Sequence, residues 1–124
     1  MGTRTWDAWN YRESAEMDPG KTVVGFSVHA IDGHIGKVDG ATMDVGDSHV
    51  VVDTGPWIFG KKVMLPAGVL KTVDHVDEKV FVNRTKDEIK NSPEFDDSMR
   101  NDEKYRAELG TYYGRGGRAY RDWD

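Results

Sequence analysis

Phe26-Ser27-Val28-His29-Ala30-Ile31-Asp32-Gly33-His34-Ile35-Gly36-Lys37-Val38 is the stretch whose reading decides the fold. From Phe26 to Ala30, apolar residues alternate with small or polar ones at period two, the signature of a strand with one covered face. Asp32-Gly33 supplies a tight turn of the primed hairpin type, so a second strand returns from His34. Gly36 inside that strand predicts a bulge or sharp bend, of the kind barrels use at corners. The strand is expected to continue to Asp44, before Gly46-Asp47 turns the chain again.

The same signals recur downstream. Val50-Val51-Val52 is short, β-branched and bounded by turn residues, which favours a buried strand over a helix. Gly55-Pro56 breaks the chain, Lys61 to Leu65 reads as a fourth strand, and Pro66 ends it because proline has no N–H for a ladder. Ala67–Leu70 reads as one helical turn. Val73–Val76 and Val80–Val82 complete the set, joined at Asp77-Glu78. Six short strands at close spacing predict an all-β domain, a small antiparallel barrel over residues 23–83. A helical extension over 84–110 follows. Thr85-Lys86-Asp87-Glu88 has capping-box spacing, Ser92-Pro93 stops that helix, and a second is expected from Ser98 to Leu109 with Met99, Tyr105 and Leu109 as its apolar stripe and Gly110 as its stop. Residues 1–22 form an aromatic N-terminal arm, and 111–124 a tail without periodicity that is expected to be mobile.

Composition bounds the function. A chain of 124 residues has room for one domain and two arms. It contains no Cys, which removes disulfides, thiolate nucleophiles and Cys-based metal centres, and fits a reducing cytoplasm. No apolar run approaches the roughly 20 residues of a membrane span, and Met1–Trp6 lacks the apolar core of a secretory signal. A cytoplasmic protein that engages no membrane is therefore expected. The net charge is −5 and no segment has a basic excess, which argues against broad phosphate binding.

The middle of the chain resembles a PRC-barrel domain, the small barrel shared by the photosynthetic reaction centre H subunit and the ribosome-maturation factor. The resemblance is carried by Asp32-Gly33-His34-Ile35-Gly36-Lys37-Val38, Val50-Val51-Val52-Asp53-Thr54-Gly55 and Gly60-Lys61-Lys62-Val63-Met64-Leu65-Pro66-Ala67. Thr85–Phe95 is similar to the helix and Pro-Glu-aromatic turn that follow the barrel in stand-alone bacterial, often actinobacterial, members. This resemblance covers residues 23–96. It implies an antiparallel barrel of about six strands acting as an interaction or adaptor module, with no catalytic residue and no cofactor. Neither the membrane helix of the H subunit nor the extra N-terminal domain of the ribosome-maturation factor accompanies it here, so neither of those roles is expected.

Candidate residues fall in three groups. The loop Gly55-Pro56-Trp57-Ile58-Phe59-Gly60 sets Trp57, Ile58 and Phe59 between glycines, where they either plug the barrel end or face a partner. Trp6, Trp9 and Tyr11 in the arm either fold back over an open barrel end or grip another subunit, a homo-oligomer being the expected state. Arg115, Arg118, Tyr120 and Arg121 interleave Arg with aromatics around one Arg-Gly-Gly. An RNA-associated role is the alternative they raise, through stacking on bases and pairing with phosphates. A hydrolase or metal enzyme would need His29, His34, His49 and His75 to converge with Asp32, Asp39, Asp44, Asp53 or Asp74. They form no His-x-x-x-His or His-Glu-x-x-His unit, so solvated turn and strand-face positions are the plainer account, and no metal is expected.

Overall fold

The structure is a computed structural model that describes residues 8–11, 15, 17–18, 20–42, 48–55, 62–96, 98 and 101–115. It is sheet-rich. Among these residues six strands, β1 (Ser27–Ala30), β2 (Gly33–Ala41), β3 (His49–Asp53), β4 (Lys62–Pro66), β5 (Leu70–Asp74) and β6 (Lys79–Val82), are followed by helices α1 (Lys86–Lys90) and α2 (Glu103–Arg115). The strands form one sheet in the order β4-β3-β2-β1-β6-β5. Four of its pairings are antiparallel, but β1 and β6 are parallel, with Val28 opposite Val80. The expected all-antiparallel closed barrel is therefore corrected to a mixed sheet in which, among the described residues, no ladder joins the edge strands β4 and β5.

That sheet is nevertheless strongly rolled, and the connection between its edges shows why. Pro66, the last residue of β4, pairs with His49 at one end of the sheet, while Leu70, the first residue of β5, pairs with Val82 at the other. Laid flat, six strands spaced about 4.8 Å apart would put the edges roughly 24 Å apart. The four Cα–Cα steps from Pro66 to Leu70 span at most about 14 Å even when extended, and Ala67–Val69 are coiled into a 3₁₀ turn. Diagonal corners must meet, so the sheet coils. The 3₁₀ turn then ties the corners: Ala67 N–H donates to Ser48 O (3.0 Å), and Asn83 N–H donates to Val69 O (2.9 Å).

Bulges supply the coiling. Register shifts leave one extra residue in β2 opposite Val28/His29, another between Val38 and Gly40, and one in β5 between Leu70 and Thr72. Gly36 stands at the first. A Cβ there would lie 2.9 Å from Thr54 Cα and closer still to the Asp53 carbonyl oxygen, so β3 approaches β2 through the space a side chain would need. The hairpin turn falls on Ile31 and Asp32, one residue before the expected pair, since Ala30 and Gly33 are already partners.

Val28, Ala30, Ile35, Val38, Val50, Val52, Val80 and Val82 line the interior, and β3 is buried on both faces from His49 to Val52. The arm and the extension join this same core. Ile89, Tyr105, Leu109 and Tyr113 belong to it, and Trp9, Tyr11, Met17, Phe95 and Tyr112 pack against it. Thr85 caps α1, its hydroxyl accepting from Glu88 N–H (3.2 Å) while Glu88 accepts from Thr85 N–H (2.9 Å). Asp102 starts α2 by accepting from Lys104 N–H and Tyr105 N–H (2.9 and 3.2 Å). The second helix starts later than expected and runs through Gly110 to Arg115. Gly110 is no stop: its missing Cβ would sit 3.2 Å from Trp9 Nε1 and 3.5 Å from Ala8 Cβ, so it is the place where arm and helix cross. Among the described residues no helix is long and apolar enough to cross a membrane.

Candidate functional site

The outer surface of β2, β1 and β6 carries a row of rings. Because side chains alternate across a strand, the pattern that sends Val28, Ala30, Val80 and Val82 inward sends Ser27, His29, Lys79 and Phe81 out. Register then sets His29 opposite His34 on one side and Phe81 on the other. The two imidazole centroids are 5.2 Å apart with ring planes at 65°, and His29 stacks on Phe81 at 5.6 Å and 30°. Thr72 of β5 extends the row beyond Phe81. A parallel row of Lys37, Ser27, Lys79 and Asp74 runs beside it.

His34 is exposed, and His29 and Phe81 are half-buried. Burial, and then the charges of His34 and Lys79, hold His29 below the usual imidazole range. Its ring is therefore neutral near pH 7, which keeps a nitrogen lone pair available. Nε2 of His29 is buried and makes no hydrogen bond among the described residues. A buried polar atom left in that state costs free energy, so the row is a place where the fold is not self-sufficient.

The other candidates do not converge on this row. His49 is buried and meets Trp9 edge-on at 6.2 Å; His75 meets Phe26 at 5.9 Å. Asp32 accepts from Lys86 N–H (2.8 Å), Asp53 from Gly55 N–H (2.9 Å), and Asp74 from Val76 and Asp77 N–H (2.9 and 3.0 Å), which depresses its pKa. Asp39 pairs with Lys62 (3.0 Å). These carboxylates thus serve turns and a cross-strand pair. Among the described residues no three His, Cys, Asp or Glu side chains are grouped to hold a metal ion.

Trp9 and Tyr11 are occupied within their own chain. Trp9 O accepts from Ser48 N–H (2.8 Å), and the Tyr11 hydroxyl donates to Thr42 O and His49 O (2.7 and 3.1 Å). Trp6, Trp57, Ile58, Phe59, Asp44, Met99, Arg118, Tyr120 and Arg121 lie outside the described residues, as does the side chain of Arg115. An open groove of about 480 Å³ runs between Pro93 and the Lys104, Glu108 and Thr111 face of α2, freely exposed to solvent.

Sequence reasoning passed over one residue that organises the extension. Arg84 is fully buried, donates to Asn83 O (2.6 Å) and Tyr113 O (3.1 Å), and sits 5.7 Å from the centre of the Tyr113 ring. Nothing local flags it, because its acceptor lies 29 positions along the chain. In comparisons with known proteins, no family model, no curated protein and no solved structure matches this chain.

Proposed function

We propose that this chain is a non-enzymatic, cytoplasmic protein-interaction or scaffold module built on a rolled six-stranded sheet that resembles a PRC barrel, and that it meets its partner through the outer face of β2, β1 and β6. One observation carries the reading: His34, edge-on to His29, and His29, stacked on Phe81, form a pre-arranged row on a three-stranded platform, with a buried ring nitrogen that nothing in the described fold satisfies. Rigid aromatic groups lose little conformational entropy on docking and supply much of the energy of interfaces. The lysines beside the row favour a partner surface with acidic or carbonyl acceptors. A second copy of the chain is the first partner to test.

The test places a photo-crosslinking amino acid at position 34 and, as a control, at the exposed position 87 of α1. Crosslinking is read in the purified chain for dimers and in the native cell for other proteins, with and without ribonuclease. A product formed from position 34 and not from 87 is expected. Equal products from both positions, or none from 34, refute the outer-face reading. Products lost on ribonuclease treatment favour the RNA-associated alternative raised by the C-terminal tail.

A further inference from the structure

We propose that His29 and His34 form a two-imidazole chelate for a divalent first-row transition metal, zinc foremost, with Nε2 of His29 as the buried ligand. The geometry meets a specific requirement. An imidazole nitrogen binds zinc at about 2.0–2.1 Å, which sets the ring centre about 3.2 Å from the ion, and a tetrahedral angle between two such rings separates their centres by about 5.2 Å. The observed separation is 5.2 Å. A right angle, as in octahedral sites, would bring the centres to roughly 4.5 Å.

The two rings also differ in the way a chelate needs. His29 is fixed by its stack on Phe81, whereas His34 is exposed on the far side and can turn about its Cβ–Cγ bond, which redirects its nitrogens while leaving its ring centre in place. The cross-strand pairing holds the two Cα atoms at neighbour distance whatever the rings do. The ion exchanges two of its waters for two imidazole nitrogens, any proton on a ligating nitrogen passes to solvent, and no electron is transferred. Lys79 lies near enough to oppose a cation, but its cross-strand neighbour on the other side is Asp74, which offsets that charge. No third protein ligand joins among the described residues, so the remaining coordination positions stay with water or receive a donor from a partner.

The experiment titrates the tag-free full chain with zinc chloride in metal-free buffer by calorimetry, and follows the histidine ring signals by NMR. Cobalt chloride provides a parallel visible spectrum that reports tetrahedral geometry. One equivalent is expected to bind, shifting the ring signals of His29 and His34 together. H34Q, at an exposed position that leaves the core intact, is expected to weaken binding at least tenfold, as is H29Q, whereas H75Q leaves it unchanged. Binding that survives H34Q, or no ring shift at millimolar zinc, overturns the proposal.

Discussion

Replacing Gly36 with alanine tests the idea that a tight β2–β3 approach is what lets this sheet roll. A Cβ built at Gly36 would lie 2.9 Å from Asp53 C and Thr54 Cα, and its nearest neighbour is the Asp53 carbonyl oxygen. All three are backbone atoms, so relief requires separating β2 from β3, not rotating a side chain. Gly36 also has φ +157°, which a side chain strains by about 1–3 kcal/mol, and forced overpacking adds about 1–3 kcal/mol. The sum, roughly 2–6 kcal/mol, is a large part of the ~5–15 kcal/mol that keeps a domain folded. At about 4 °C per kcal/mol for a chain of this size, Tm should fall by roughly 8–24 °C. Gly40 in the same strand is the control, because a Cβ there meets nothing within 4 Å and its φ is ordinary. G40A should stay within about 1 kcal/mol of the parent. Both variants are compared by thermal and urea unfolding, followed by circular dichroism. Melting of G36A and G40A within about 3 °C of each other would refute the close-approach argument.

Tyr11→Phe removes the hydroxyl that bridges Thr42 O and His49 O and should lower stability by about 1–2 kcal/mol in urea unfolding; an unchanged midpoint would mean that the arm is not docked in solution. Arg84→Ala leaves a cavity and strips a donor from Asn83 O and Tyr113 O, so a loss of about 3 kcal/mol or more is expected. Amide exchange should accelerate first in α2, and uniform acceleration across the sheet would contradict the role given to Arg84. Burial holds the phenols of Tyr11, Tyr105 and Tyr113 well above the usual tyrosine range. Because the folded-state pKa is raised, their contribution is intact below about pH 10 and is lost as pH climbs beyond it, where the unfolded chain gives up protons that the folded one keeps. Phenolate absorbance should therefore rise together with loss of the dichroism signal; full titration near pH 10 in a still-folded chain would refute this.

The local signals read well from sequence for a physical reason: each is completed within a few residues. Period-two alternation, the Val50–Val52 run, the bend at Gly36 and the Thr85–Glu88 capping box needed no knowledge of distant chain. The Asp32-Gly33 turn was displaced by one residue because turn position is set by which cross-strand pair closes it, here Ala30 with Gly33. Gly110 read as a helix stop because glycine usually frees a helix end, whereas here it admits Trp9. The histidines looked scattered, since His29 and His34 become neighbours only when β1 and β2 pair with the bulge in register.

The sequence by itself determined that six strands precede two helices and which residues carry apolar bulk, because propensity, alternation and capping act over one or two turns of chain, whereas packing moved the fifth strand from the expected Val73–Val76 to Leu70–Asp74. Tertiary structure alone decided the parallel pairing of β1 with β6, the coiling forced by the short Pro66–Leu70 corner, the burial of Arg84 and the ring row on the outer face. Those features depend on contacts between residues tens of positions apart. Many registers satisfy the same local pattern, and only packing a single shared core selects among them.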